Sequence, residues 1–268
     1  MCKLKLSLAL SLALLPLLSF AEGMSEAEKE KLAKAAQNPI ASMISLPFQN
    51  NTNFNIGPND STQNILNIQP VWPFALNDDW NLITRTIVPV TSNPDVLTGE
   101  GRVKGIGDIV FTAFVSPGNS GDVTWGVGPM VLLPTATNDA LGQETWAAGL
   151  SAVVLTMPGK WVLGSLFSNI WSAGGGDADI NLFTWQPFIN YNFEDGWYAT
   201  TAPIVTANWE ADSDHRWTVP LGGGVGKIFR VGKQPINAQL SLYNNVVTPD
   251  DYGAEWQARA QIQFLFPK

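Results

Sequence analysis

"FTWQPFINYNFEDGWYATTAPIVTANW", residues 183–209, alternates in character on both sides of a tight turn. Before the turn, Phe183, Trp185, Pro187, Ile189, Tyr191 and Phe193 share one face of an extended strand, while Thr184, Gln186, Asn190 and Asn192 share the other. After it, Trp197, Ala199, Thr201, Pro203, Val205, Ala207 and Trp209 line up in the same way. A β-sandwich also buries one apolar face per strand, but it has no need of an aromatic at each end of that face. Trp197 and Trp209 lie twelve residues apart, roughly 40 Å along a strand and about 30 Å along a membrane normal at a ~40° tilt. That span matches a hydrocarbon slab with an aromatic anchor at each interface.

The pattern continues along the chain. Strands are expected at about 44–55, 62–75, 80–91, 106–117, 122–134, 143–157, 161–172, 179–193, 196–209, 215–229, 236–248 and 255–267. The connectors alternate between tight turns ("NDD", "GNSG", "PGK", "EDG", "GKQP") and mostly longer polar loops such as "TSNPDVLTGEGRVKG" and "TATNDALG". Short turns on one side and long loops on the other, with an even strand number, are the marks of an outer-membrane barrel. Most tryptophans, Trp80, Trp161, Trp171, Trp217 and Trp256 among them, fall near strand ends. The expected fold is all-β, a twelve-stranded antiparallel transmembrane β-barrel with a short N-terminal helix. The final strand, "AEWQARAQIQFLFPK" (254–268), alternates as regularly as any and would close the ring. In strands six and seven both faces are largely apolar, so alternation does not say which side meets lipid.

Upstream of the barrel, Lys3 and Lys5 precede a run of apolar residues from Leu6 to Phe20, with Ser19 and Ala21 at the small-residue positions of a cleavage site. Residues 1–21 read as a signal peptide, and Pro16 counts against a membrane anchor, which needs about 20 apolar residues. The expected division is signal peptide 1–21, periplasmic helical segment 22–40 and barrel 41–268, placing the protein in the outer membrane of a Gram-negative bacterium. Ser25 and Glu28 form a capping-box pattern ahead of "KEKLAKAAQ", and Asn38-Pro39 stops the helix. Its apolar face is thin, so a solvated leader is preferred to a plug in the barrel mouth.

Charge narrows the function. Only 14% of residues are charged, against about 25% in an ordinary soluble domain. Removing residues 1–21 takes away two lysines and no acid, deepening the net charge of −8 to about −10, which argues against nucleic acid as a partner. The only cysteine, Cys2, lies in the signal segment, so the mature chain has no thiol chemistry. His215, beside Asp212, Ser213 and Asp214, is the one candidate for a hydrolase site, and catalysis is not expected from it. With one histidine and no cysteine, no metal site and no cofactor are expected. Loop acids Asp177, Asp179, Asp250 and Asp251 read as a solvated rim. "GGGVG" (222–226) lacks the context of a nucleotide loop and reads as close packing inside the barrel.

If the apolar faces meet lipid, the opposite faces fill the lumen. The candidate solute contacts are Asn51, Asn53, Asn67, Gln69, Arg85, Asp108, Gln186, Gln239, Tyr243, Glu255, Gln257, Arg259 and Gln261. Strands eleven, twelve, one, two and three are neighbours around the ring, so one wall is a field of side-chain amides. Amides donate and accept without charge, which suits a neutral polar or phenolic solute; equally, they could simply satisfy one another. Arg85 and Arg259 should lie near middle depth, either as a constriction attractive to anions and moderated by Glu255, or paired with inward acids.

Five stretches carry a resemblance: "AAQNPIASMISLPFQNNTNFNIGP" (35–58), "IQPVWPF" (68–74), "GIGDI" (105–109), "QPFINYNF" (186–193) and the "QFLFPK" end. Here the chain resembles a family of bacterial outer-membrane proteins labelled simply as transporters, sometimes misnamed neuromedin U, and similar to the outer-membrane proteins of a phenol-degradation pathway. The resemblance implies a twelve-stranded barrel and passive uptake of small organic solutes, aromatic ones among the candidates. It carries no catalytic or binding residues. Outer-membrane barrels commonly end on an aromatic, so Phe266 is the expected handle for the barrel-assembly machinery, although Pro267 and Lys268 follow it. The remaining partners expected are outer-membrane lipid and a small-molecule solute. The rival readings are an outer-membrane hydrolase using His215 and a closed structural or interaction barrel.

Overall fold

The computed structural model describes residues 24–95 and 101–267; the expected signal segment, 1–21, lies outside them. One helix, α1 (Glu26–Gln37), precedes fifteen strand segments. In chain order these are β1 (Ile44–Ile56), β2 (Ser61–Ile68), β3 (Val71–Ala75), β4 (Trp80–Pro94) and β5 (Arg102–Ile106). Next come β6 (Ile109–Pro117), β7 (Val123–Leu133), β8 (Trp146–Thr156), β9 (Trp161–Gly174) and β10 (Asn181–Asn192). The last five are β11 (Trp197–Thr201), β12 (Val205–Asn208), β13 (Trp217–Val231), β14 (Gln234–Val247) and β15 (Ala254–Phe266).

The segments make one closed antiparallel barrel of twelve staves. Three staves are interrupted: β2 with β3, β5 with β6, and β11 with β12. The breaks hold Pro70, Gly107 and Pro203, and a proline has no N–H to give a ladder. β15 closes on β1 in register from Ile44 opposite Phe266 to Ile56 opposite Ala254. The ring therefore leaves no edge in lipid. Two boundaries differ most from the sequence expectation: Ser213–Arg216 form a helical turn, α2, so that the tenth stave begins at Trp217, and β4 and β5 carry the ladder into the expected long loop, to Pro94 and from Arg102.

Ten of the eleven tryptophans are exposed on the outer wall or its rims, the reverse of what a water-soluble core would do with them. At the short-turn end Trp80 packs edge-on to Trp125 with centroids 6.1 Å apart, and Trp161 to Tyr191 at 4.7 Å. Lys227 lies 4.7 Å from the Trp197 ring centre there, placing an ammonium at the interface. At the long-loop end Trp209 packs on Trp217 at 5.5 Å. Two aromatic girdles flank an apolar band.

The interior has two halves. Around β4, β6, β8, β9 and β10 it is a packed core of Ile83, Phe114, Val153, Leu155, Val162, Leu166 and Phe188. Gly164 makes room for it, since a Cβ there would overlap the Phe188 ring. This core explains the ambiguous strands. In β8 the inward residues are Ala147, Ser151, Val153 and Leu155, and in β9 Val162, Leu166, Ser168 and Ile170. Both faces are apolar because one meets lipid and the other this core. Each of the larger side chains buried here contributes about 1.5–3 kcal/mol.

The N-terminal segment belongs to the interior, not to solvent. Ser25 Oγ accepts from the Glu28 N–H at 3.2 Å, capping α1 as its spacing predicts. Leu32 and Ala33 are then buried against Met43, Ile228 and Leu265, and α1 contacts the tight turn at 194–196. The thin apolar face is short because only those two positions have to be buried. Past Pro39 the chain dips inward, and Ile40 joins the core.

Candidate functional site: the barrel lumen

The other half of the interior, around β14, β15, β1 and β2, is polar. Asn53 donates to Gln63 at 2.7 Å, Gln63 to Asn93 at 2.7 Å and Gln257 to Asn53 at 3.0 Å. On the short-turn side Tyr198 donates to Asn237 at 2.7 Å, and Asn237 to Gln263 at 3.1 Å. A Cβ at Gly226 would overlap the Tyr198 ring. Gly226, at the end of the glycine-rich run of β13, thus leaves the space that this tyrosine fills.

Arg259 divides the polar half. Its Nε donates to Asn51 at 3.1 Å and its Nη2 to Gln257 at 2.9 Å. Its Nη1 reaches the Ala202 carbonyl at 2.8 Å, three staves away, with β13 and β14 between. That carbonyl lies at the break between β11 and β12. The guanidinium sits 4.8 Å from the Tyr243 ring centre, and the Tyr243 hydroxyl accepts from the Ala202 N–H at 3.2 Å. Arg259, Tyr243 and the broken stave form a septum across the lumen.

Cavities lie on both sides. The outer one, about 400 Å³, is lined by Asn53, Gln63, Asn93, Asn245 and Gln257, with loop residues Tyr252 and Thr248. The inner one, about 140 Å³, is lined by Gln49, Gln69, Arg85, Gln186, Phe188, Asn190, Gln261 and Gln263. Gln37, Asn38, Pro39, Ala41 and Met43 floor it, so the N-terminal segment closes the lumen at the short-turn end. A clasp holds it there. Gln37 and Asn192 exchange amide hydrogen bonds of 2.9 and 3.2 Å, Arg230 donates to Glu28 at 2.6 Å, and Lys29 reaches Asp195 at 3.2 Å. The hydrogen bond from Lys29, above all, holds the Glu26 carboxyl below the ordinary glutamate value.

The structure brings most of the sequence-derived lumen residues together. Asn51, Asn53, Gln239, Tyr243, Gln257, Arg259 and Gln261 line one side of the polar half, and Gln69, Arg85 and Gln186 face the inner cavity. Asn67 lies opposite Gln49 on the same inward face. Two residues are placed otherwise. Glu255 is exposed at the long-loop rim, where it accepts from Asn55 at 2.9 Å, because as the second residue of β15 it stands at the very end of its stave; it does not moderate an arginine. Asp108 accepts from the backbone N–H groups of Thr135, Ala136 and Gln143 at 3.1, 3.1 and 2.6 Å. It ties down a long loop at the rim and does not face a solute path.

The arginines take amide and carbonyl partners, not the acids considered as an alternative. What the sequence did not disclose is the Ala202 backbone, the Gln37–Asn192 pair and the core residues Phe114 and Phe188. Pro203 was the one available signal for a broken stave. His215 Nε2 lies 3.0 Å from Asp251 on a neighbouring loop, and Ser213 donates to Asp214 at 2.8 Å. Histidine and serine thus have different partners, and no nucleophile–base contact forms.

No family model and no curated protein matches the sequence. Among solved structures, the chain is similar to an outer membrane channel from Pseudomonas putida F1, at 17% identity over 85% of this chain and 97% of that one, with a TM-score of 0.66. The fold is that of a bacterial outer-membrane barrel. Two further likenesses are lower. One is to the CymD monoaromatic hydrocarbon channel, at 9% identity, 93% and 94% coverage and a TM-score of 0.48. The other is to the Salmonella typhi outer membrane phospholipase dimer with bound calcium, at 11% identity, 91% and 99% coverage and a TM-score of 0.45. Neither bears on the chemistry of this chain.

Proposed function

We propose that this protein is an outer-membrane channel for passive passage of small organic solutes, held closed at its short-turn end by its own N-terminal segment. The observation that carries the reading is the lumen itself: two cavities, one on each side of the Arg259–Tyr243 septum, lined largely by side-chain amides, with Arg85 and Arg259 and no carboxylate on the inner one. Such a path can be opened by rotamer changes and by withdrawal of residues 24–43, without disturbing the barrel ladder. The likeness to an outer membrane channel and the sequence resemblance to outer-membrane transporters support it. In this reading the short turns and both chain ends face the periplasm, residues 1–21 direct export, and Phe266, exposed at the end of β15, engages the assembly machinery. The divided Ser213 and His215 contacts favour a non-enzymatic role.

Liposome swelling tests the reading. Vesicles containing the mature chain are expected to take up small neutral and aromatic polar solutes, and to do so faster when residues 22–40 are deleted. A barrel that stays impermeable to every solute after that deletion would be a structural one, and the channel reading would be lost.

A further inference from the structure

The two lumen arginines differ in how far their donors are used. Arg259 has Nε, Nη1 and Nη2 all donating to protein acceptors, so it is a strut. Arg85 makes one hydrogen bond, from Nη2 to Gln69 Oε1 at 2.6 Å, although a guanidinium carries five donors in a fixed fork. No carboxylate lines the cavity that Arg85 faces, and no ion pair involves Arg85 among the described residues. A guanidinium inside a barrel with no counter-charge is costly, and its planar fork matches a carboxylate.

The surroundings state what should be attached to that carboxylate. Val71 lies directly across the ladder from Arg85 and packs against the apolar core. Phe188, a member of that core, lines the same cavity, as does Met43. Gln69 fixes the guanidinium on the polar side. A volume of about 140 Å³ suits one small ring, since an apolar cavity of roughly 150 Å³ holds a benzene molecule.

We infer that the inner cavity is a binding site for a small organic monocarboxylate, its carboxylate on Arg85 and its hydrocarbon or aromatic body against Val71 and Phe188. The inference rests on the channel reading, because the acid must reach the cavity along the lumen. It also gives the N-terminal segment a role in release, since Met43 and the 36–41 stretch wall the cavity on the short-turn side.

Calorimetric titration of the folded, detergent-solubilised mature chain with benzoate, benzyl alcohol and acetate is the test. Benzoate is expected to bind one per barrel, tighter than benzyl alcohol by roughly tenfold to a hundredfold, the worth of charge-assisted hydrogen bonds, and tighter than acetate. Arg85→Gln should abolish the preference for benzoate over benzyl alcohol, and Arg85→Lys should restore part of it, with heat-modifiable electrophoretic mobility reporting an intact barrel. Equal affinity for benzoate and benzyl alcohol in the wild-type chain would overturn the site even if no variant folded. Equal affinity for acetate would reduce it to a bare anion site and overturn the proposed ligand class. A chain that conducts in planar bilayers but ignores benzoate loses the site and keeps the channel; one that binds benzoate and never conducts keeps the site and loses the channel.

Discussion

The barrel is built on two different interiors. Around β8 and β9 the inward residues pack as in a soluble core, with Leu155 and Val162 almost wholly buried. Around β15 and β1 they hydrogen-bond along the lumen wall, as Arg259 does to Asn51, and across it, as Arg259 does to the Ala202 carbonyl. Both walls present apolar side chains to lipid, interrupted on β1 and β2 by the hydrogen-bonded Asn50, Thr52 and Asn64. Packing therefore holds one side of the cylinder rigid, while the other is held by hydrogen bonds that can be exchanged for those of water or a solute. A path for solutes belongs on the second side, and the plugging segment touches both: Ile40 enters the core, and Leu32, Ala33 and Met43 cluster with Leu265 of β15.

The largest effect should come from the packed side. Phe114→Ala empties a fully buried site and is expected to cost about 3–5 kcal/mol, measured by reversible urea unfolding in lipid vesicles. A cost near zero would mean that this half is a wet lumen as well. Next comes the outer wall. Leu240, strongly exposed near the middle of β14, should cost about 2–4 kcal/mol when changed to Arg. Gln261→Arg, on β15 next to Leu240's cross-strand partner Ala260 and facing the lumen, should cost far less. Equal costs would contradict the assignment of faces.

A smaller loss is expected from the amide side. Asn51→Leu leaves the Arg259 Nε unpaired and should cost roughly 1–3 kcal/mol, while loosening the septum and raising the conductance of the open state. The weakest effect is that of acid on the clasp. The depressed Glu26 value means that its contribution is complete at neutral pH, begins to fall below the ordinary glutamate value, and is gone once the pH has passed through the folded one. Open probability in bilayers should accordingly rise as the pH drops through that range, and rise less in Glu26→Gln.

The twelve staves were legible in the sequence, and the faces of strands such as β10 and β15, because each separates apolar from polar residues cleanly. Strands β8 and β9 were not, since Val153 and Leu166 face a core while Val154 and Phe167 face lipid, and hydrophobicity alone does not distinguish the two solvents. The amide wall could be read from alternation; the septum could not, because its key acceptor is the backbone carbonyl of Ala202, which has no side-chain signature. Glu255 was misplaced because alternation gives the face of a residue and not its depth, and Glu255 stands at the rim end of β15. The helix was read as a solvated leader because its burial rests on just Leu32 and Ala33, too few to raise a periodic signal.

The central claim is that the lumen is closed by residues 24–43 and opens when they leave. After residue 21 the chain contains no cysteine, so Gln37→Cys with Asn192→Cys, substituted at the two amides of the clasp, would supply the one thiol pair, which a short bifunctional thiosulfonate reagent can join through reductant-cleavable disulfides. Single-channel recording of this variant in planar bilayers is the direct measurement. Silence is expected while the cross-link is intact, and conducting events on adding a reductant. Equal conductance before and after reduction, with the cross-link verified by electrophoresis, would contradict it.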